Sequence, residues 1–436
     1  MKTISESRKT PIAGEYDVIV AGGGPAGFSA AVSAARAGAK TILLEQTGAV
    51  GGTATSGLMS HWTGSADSSI LKEVYERSTI PGPEEVYPNK KIINPERLKL
   101  IMLEMLFEAK AEVLLYTFVS DVIKEGFHVR GVIVENKSGR LAYYAHTVID
   151  ATGDGDIAVR AGASFIKGRE GDEKMQPATV MFKVAGVDYS RAIFPNAFEQ
   201  NIEVPKGKVQ DLARKHLPFP AGHTLLYKTS LPGIVSVNMT NATGIDGTNS
   251  SDLTKAEYEC RKQMDLIVNF LRSTVPGYER CFIVSTASLI GVRETRHVLG
   301  EYTLTGDDIL ASRVFDDWVV LRAKFNFDIH NIDGPGLDKH GAQVHFPDIS
   351  GYSISYRSLV PKMIDGLLLA GRCISGTHKA HASFRAMPIC VAMGEAAGIA
   401  AAIAVKENIT VRKVSAEKIQ TELKNRGIEL NSPATE

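Results

Sequence analysis

The sequence predicts an α/β fold interrupted by an α+β insertion, on three observations. Residues 16–52 read YDVIVAGGGPAGFSAAVSAARAGAKTILLEQTGAVGG: apolar strand, glycine turn, small-residue helix, second apolar strand, acid. Two later apolar runs, at 147–149 and 366–370, also lead into glycine, as strands ending on the ligand crevice of one open sheet do. Between them, from about residue 167 to 350, helical repetition fades and strand-like runs take over.

The opening stretch is a dinucleotide-binding unit of Rossmann type. Gly22 allows the tight turn, Gly24 has no side chain to keep a pyrophosphate off the backbone, and Gly27 lets the helix pack close to the sheet. The helix N-terminus then offers unpaired N–H groups and a positive dipole end to the phosphates. Glu45 sits at about the twenty-residue offset where a carboxylate accepts hydrogen bonds from an adenosine ribose, and it would repel the 2′-phosphate of NADP. A second glycine turn, Gly48-Ala49-Val50-Gly51-Gly52-Thr53, follows soon after. NAD ends too early to need it. FAD has a ribityl chain and a wide flavin to be threaded past the sheet, so the second turn favours FAD.

At 436 residues the chain is long enough for two or three domains. Lys+Arg and Asp+Glu both number 49, and the absence of a basic excess argues against nucleic acid or an anionic membrane surface as partner. The first sixteen residues are polar, unlike a secretory leader. Cys260, Cys281, Cys373 and Cys390 lie far apart without a CxxC, which disfavours a redox dithiol or an iron–sulfur cluster and makes a reducing cytoplasm the expected location. Residues 387–405 are apolar and nearly long enough to cross a bilayer. They carry Pro388, Glu395 and many Ala and Gly, so we expect a buried helix packed on a sheet and no membrane span.

Taken in order, His61 reads first as a hydrogen-bonded structural residue and second as a proton donor at a flavin edge. Residues 94–111 read as a helix, with Pro95 near its start and Leu98, Ile101, Met102, Met105 and Leu106 at helical spacing. A strand at 113–116 and a meander turning at Glu125-Gly126 and Lys137-Ser138-Gly139 lead to a strand that ends Asp150-Ala151-Thr152-Gly153-Asp154. The insertion offers strands near 179–184, 234–239 and 319–327 and a long helix at 253–272. Polar clusters follow its apolar runs: Arg293-Glu294-Thr295-Arg296-His297, Asp328-Ile329-His330 and, on the way back, Tyr356-Arg357. A buried strand then ends in Gly371-Arg372, a loop at 373–384 carries His378 and His381, and a small-residue helix opens at Arg385-Ala386-Met387-Pro388. That N-terminus suits the pyrimidine edge of a flavin, which gains negative charge on reduction. An amphipathic helix at 417–426 closes the chain. The expected domains are a flexible N-terminus (1–15), an FAD-binding domain (16–166 and 351–408), a substrate or cap domain (167–350) and a helical tail (409–436).

These motifs in sequence order, VIVAGGGPAG with Glu45, GGTATSG, VIDATGDGDIA, GREGDEKMQP, GVRETR, FDIH, SYRSLVPK and LLLAGRCISGTHKAHASFRAMP, resemble the FAD dependent oxidoreductase family. That family lies within the glutathione-reductase-like flavoproteins of the succinate dehydrogenase and p-hydroxybenzoate hydroxylase type, and the resemblance runs from about Tyr16 to the tail. It implies that Gly22, Gly24, Pro25, Ala26 and Gly27 hold the pyrophosphate and Glu45 the adenosine ribose. It implies further that Gly51, Gly52 and Thr53 approach the ribityl chain and flavin, that Thr152, Gly153 and Asp154 flank the adenosine half, and that Gly371, Arg372, Arg385 and Met387 sit at the flavin end. Members tend to have Pro where this chain has Ser355, a change expected to alter a loop beside the substrate, and often Gln where it has Glu395, expected to be a helix-face change without chemical consequence.

The expected function is an FAD-dependent oxidoreductase moving a hydride between flavin N5 and a small polar or anionic organic substrate. Candidate catalytic groups are Arg293, Arg296, His330, Arg357 and His381, with His61 behind them; no metal is expected. No second glycine fingerprint for a nicotinamide domain is present, so the partner in electron transfer is expected to be an external carrier or oxygen. The alternative is a non-catalytic FAD-binding redox subunit or sensor. Association into a homo-oligomer stays open.

Overall fold

The structure, a computed structural model, describes residues 2–79, 91–338 and 346–430. Strand β1 (Ile12–Ala21), helix α1 (Pro25–Arg36) and strand β2 (Thr41–Leu44) form the expected unit, with β1 and β2 parallel and Val18 opposite Thr41. Pro25 starts α1 at no cost because the first helical N–H has no partner in any case. Helix α2 (Ser69–Ser78) is capped by Ser68, whose Oγ accepts from Leu71 N at 3.1 Å. Helix α3 (Pro95–Glu108), capped by Asn94, buries the five apolar residues that predicted it. Strand β3 (Glu112–Leu114) adds in parallel to β2 and stops short of Tyr116, which takes a positive φ of 54°.

Strands β4 (Phe118–Glu125), β5 (His128–Asn136) and β6 (Gly139–Asp150) make the meander. β6 sits in the middle of a single sheet. Its first half pairs antiparallel with β5, and β1 runs parallel to it from Ala142 to Asp150, with Val18 opposite Thr147. Helix α4 (Asp156–Ala161) follows the glycine-rich end of β6.

The insertion enters through β7 (Phe165–Lys167) and contains β8 (Phe182–Ala185), β9 (Glu203–Val204), β10 (Gly207–Lys208), α5 (Val209–His216), β11 (Leu226–Lys228), β12 (Val235–Val237), α6 (Ser250–Thr274) and β13 (Phe282–Thr286). It leaves through β14 (Arg296–Val298), which pairs with β7 and so draws both ends of the insertion together. Its sheet is antiparallel in the order β11-β12-β8-β13. Phe182, Val184, Leu226, Val235 and Val237 share one apolar core with Ala256, Cys260, Met264, Ile267 and Leu271 of α6. Because side chains alternate along a strand, Lys183, Tyr227 and Ser236, which lie opposite one another across three strands, point the other way. That face meets the first domain: the Tyr227 ring stands 4.9 Å from the His61 ring.

Helix α7 (Gly306–Leu310), strands β15 (Trp318–Ala323) and β16 (Tyr352–Ser355), strand β17 (Leu367–Leu369), and helices α8 (His378–Phe384), α9 (Met387–Glu407) and α10 (Ala416–Asn425) complete the chain. β17 pairs in parallel with the second half of β6. The insertion's core closes at Ala287, and the buried apolar residues from Val298 onward, Ile332 apart, belong to the first core. Three sequence expectations are corrected here. His378 and His381 lie on a helix rather than in a loop, because Thr377 caps it through Ala380 N at 3.3 Å. Glu395 is fully buried in α9, where it accepts from Ser68 Oγ at 2.6 Å, from Ser69 Oγ and from Arg426 Nη1 at 3.4 Å, tying α2 and α10 to α9. Ser355 donates to Asp317 at 2.6 Å and caps the turn holding Arg357, outside the polar cluster described below. Helix α9 itself is long and apolar enough to cross a bilayer, but it is buried inside the protein. Gly394 and Gly398 bring it against α1: a Cβ on either would collide with the carbonyl oxygen of Ala26 or Ala30.

Candidate active site

Two glycine turns are locked together at the carboxyl ends of β1 and β2. Gly22 adopts φ +98° and donates its N–H to Leu44 O at 2.8 Å; a Cβ there would press on the Ala151 carbonyl. Gly51 N donates to Gly23 O at 2.8 Å, joining the second turn, with Thr53 in its short 3-10 segment, to the first. Glu45 Oε2 accepts from Gly23 N at 2.6 Å and Oε1 from Thr47 N at 2.7 Å. Each carboxylate oxygen keeps a second lone pair for a diol. Around Gly24, which opens α1, a Cβ would meet nothing within 4 Å, the open space a phosphate needs. Pro25, Ala26 and Gly27 follow in the first turn of α1, and Gly27 packs on the Gly22 carbonyl.

The later strand ends complete this cradle. Asp150, fully buried, accepts from Thr152 N at 3.1 Å, Thr152 Oγ1 at 2.7 Å and Ala158 N at 2.9 Å; burial pushes its carboxyl up to about 6. Gly153 lies under Arg372, and Asp154 pairs with Arg372 Nη2 at 3.0 Å while accepting from Thr295 at 2.8 Å. Gly371, with φ +91°, approaches Ala26 of α1. Arg372 Nη1 and His381 Nδ1 are buried and have no partner among the described residues. Orphaned buried donors beside an open glycine cradle fit a long, oxygen-rich cofactor lying between the two turns and α9, whose first residues are Met387 and Pro388.

A second group of side chains lies where the insertion's open sheet face meets this cradle. Arg293 donates to Pro177 O at 2.5 Å. Arg385 donates to both the backbone O (2.8 Å) and Oδ2 (2.7 Å) of Asp328, and His330 Nε2 stands 3.5 Å from Asp328 Oδ1. His223 Nε2 bonds Asn238 O at 3.0 Å, and Phe198 lies edge-on between His223 and His330, 5.1 and 5.2 Å from them. His61 Nδ1 is held by Ser60 Oγ at 2.7 Å, with its ring against Tyr227. Burial sets the shift of the histidines and of Tyr227. It holds His330 down at about 4, helped by Arg293, and His223 at about 3; it lowers His61 and raises Tyr227 to about 12. Burial would likewise raise Asp328, but His330, Arg385 and Arg293 together hold it below the usual carboxylate range. Arg293 is depressed to about 10 by burial, with Arg385 adding to the effect. At neutral pH the cluster therefore holds unprotonated imidazoles, one protonated phenol, two guanidinium groups and one carboxylate.

Of the candidates read from the sequence, Arg293, His330 and His61 come together here, joined by Arg385, which the resemblance had placed at the flavin end. Arg296 is engaged elsewhere, on Asp154 O (3.0 Å) and Asp156 (2.8 Å), where it links the insertion to α4. Arg357 is half-exposed, paired with Asp317 at 2.9 Å and stacked on Tyr302; its partners lie outside the cluster. His381 sits one step away, edge-on to His297 at 4.6 Å, in a buried group where Glu294 Oε1 accepts from His297 Nε2 (3.0 Å) and His378 Nδ1 (2.6 Å). Tyr227, His223 and Asp328 were not singled out as site residues in the sequence. The alternation of the insertion's strands is the signal that finds Tyr227, and the Asp328-Ile329-His330 spacing puts Asp328 beside His330.

The family profile described as FAD dependent oxidoreductase matches residues 17–423, nearly the whole chain. Among curated proteins, a thiamine thiazole synthase of Aeropyrum pernix is 32% identical over 33% of this chain and 57% of its own length. A fumarate reductase (cytochrome) of Shewanella frigidimarina is 34% identical over 20% of this chain and 15% of its own. The chain thus matches just over half of one curated relative and a small part of the other. Among solved structures, a geranylgeranyl bacteriochlorophyll reductase-like protein of Thermoplasma acidophilum superposes with a TM-score of 0.50 at 15% identity, over 94% of this chain and 84% of that one, a likeness of fold. With the cradle, the orphaned donors and the profile in agreement, the chain belongs to the FAD dependent oxidoreductase family, and its cofactor is FAD.

Proposed function

We propose that this enzyme moves a hydride to or from a small polar or anionic organic substrate held between the cofactor and the insertion's sheet. Bound FAD supplies the hydride chemistry at N5. The observation that carries the reading is the cluster of Tyr227, Arg293, Asp328, His330, Arg385 and His61, assembled from both domains. These side chains lie deep in the protein, yet Tyr227, Arg293, Asp328, Arg385 and His61 all keep accessible surface, as groups lining a binding space do. A mere cofactor carrier has no need of such a group.

The residues divide the work by their protonation. His330 and His223 are unprotonated at neutral pH and are able to accept a proton; Tyr227 Oη holds one and is able to donate. Asp328 orients His330 and Arg385 at once. Arg293 and Arg385 supply donors for substrate oxygens. The electron partner is an external carrier or oxygen. Four free, buried cysteines suit a reducing compartment such as the cytoplasm.

The test is anaerobic bleaching of the bound flavin by a panel of hydroxy acids, amino acids and neutral alcohols, with reoxidation of reduced enzyme by unsaturated acids as the reverse arm. Arg293→Ala should slow the productive half-reaction at least tenfold and Arg357→Ala should leave it within twofold. A flavin that no organic donor bleaches and no organic acceptor reoxidises overturns the reading.

A further inference from the structure

The polar cluster is rich in donors and poor in acceptors. Arg293 lies deep in the protein with part of its surface open, yet among the described residues it has no ion pair; it donates a hydrogen bond to the Pro177 carbonyl. Asp328, the carboxylate that acts on it, is already taken by Arg385 at 2.7 Å and by His330, and the carboxylate of Glu294 is taken by Gln176 N, His297 and His378. Three further buried donors or donor-capable atoms around the same partners have nothing to bond. They are Gln176 Nε2, Arg385 Nε and His223 Nδ1. Gln176 is tied into the cluster directly, since its Oε1 accepts from His330 N at 3.2 Å and its own carbonyl neighbour, Pro177, takes Arg293.

The charges do not cancel. Arg293 and Arg385 contribute two positive charges and Asp328 one negative, while His330, His223 and Tyr227 are neutral at physiological pH. A buried guanidinium left without a counter-charge is costly, and a protein retains one where a ligand completes it. The geometry points to a monoanion-binding site centred on Arg293, with Gln176 Nε2 and Arg385 Nε as neighbouring donors, that takes the carboxylate of the substrate. A planar two-oxygen anion matches both the fork of a guanidinium and the surplus of one charge. This rests on the substrate reading above and narrows it to carboxylic acids. The reduced flavin is the other anion within the same active site.

Binding of simple probes to full-length protein separates these outcomes without any turnover. Acetate, pyruvate and benzoate would be titrated at constant ionic strength into FAD-loaded protein, followed by the visible flavin spectrum, and into apoprotein, followed by melting temperature. Acetamide and benzamide serve as neutral controls. We expect the carboxylates to bind both forms and the amides to bind at least tenfold more weakly. Arg293→Gln should weaken carboxylate binding at least tenfold, Gln176→Leu less, and Arg293→Lys should retain part of it. Arg293→Met should melt no lower than wild type without ligand, because the unmatched charge is gone. Equal binding of amides and carboxylates, or carboxylate binding unchanged in Arg293→Gln, overturns the assignment. So does a variant that binds carboxylates normally but whose flavin has a lowered reduction potential, for Arg293 would then serve the reduced flavin. A wild-type enzyme that binds no carboxylate but is bleached by neutral alcohols overturns the carboxylate site and leaves the oxidoreductase reading standing.

Discussion

Glu45 shows how one side chain can be scaffold and still keep lone pairs free for a ligand. Its two oxygens hold the N–H groups of Gly23 and Thr47, so the carboxylate fixes the shape of the turn before any ribose arrives. Glu45→Ala should weaken FAD binding at least tenfold, about 1–3 kcal/mol for lost charge-assisted bonds and newly orphaned donors, read by titrating apoprotein with FAD. The buried histidines make a prediction of known sign. His330 is held at about 4 and His223 at about 3, against 6.5 when unfolded. Between those values the unfolded chain binds more protons, so stability is full above about pH 6.5 and falls as pH drops towards 4. His330 alone corresponds to about 3 kcal/mol across that window. Urea unfolding at pH 7.5 and 5.0 should show the loss, and His330→Gln should reduce it by about half, His223 supplying the rest; an equal slope in the variant would refute the assignment. Residues of this kind were only half legible in the sequence. The glycines and Glu45 act through local spacing, which a linear pattern preserves. Tyr227 and His223 carry no motif, because their roles come from strand pairing between segments far apart in the chain. Arg357 misled for the complementary reason: it stands in a dense motif, but that motif caps a turn on Asp317.

At the level of elements, α9 is the part on which the cradle depends. It lies against α1 at a distance only glycine permits, and α1 carries the phosphate-facing turn at its own N-terminus. Gly394→Ala would drive its methyl into the Ala26 carbonyl in the first turn of α1. We expect a loss of a few kcal/mol in unfolding free energy and a matching loss of FAD content in purified protein. If stability falls but flavin content at saturating FAD is untouched, the two helices are not coupled in this way. Glu395 adds a polar pin to the same helix. Glu395→Gln should cost about 1–3 kcal/mol through its bonds to Ser68, Ser69 and Arg426. The sequence showed the helix and its burial clearly, because a long small-residue run has few other uses in an α/β sheet. It did not show that the acid within it would be a tie between three helices, since nothing in its own neighbourhood names the partners.

For the whole molecule, the division of labour follows the two apolar cores. The first holds the cofactor turns; the second holds a sheet whose outer face closes over them. The chain passes between them through β7, paired with β14, and beside that pair one carboxylate is shared. Asp154 is gripped by Arg372 from the β17 strand end and by Thr295 from the returning chain, while Arg296 holds its backbone oxygen. Arg372 has a donor left over, Nη1, in the cradle. A ligand that orders Arg372 there also orders Asp154, and through it the segment that anchors the insertion. Thermodynamic reciprocity then applies: if FAD favours the seated insertion, the seated insertion favours FAD by the same factor. Backbone amides at 291–298 should exchange hydrogen more slowly in holoprotein than in apoprotein, and Asp154→Asn should shrink that difference. Cofactor loading would in this way act as an assembly checkpoint, readying the substrate chamber only in molecules that already carry the means to use it.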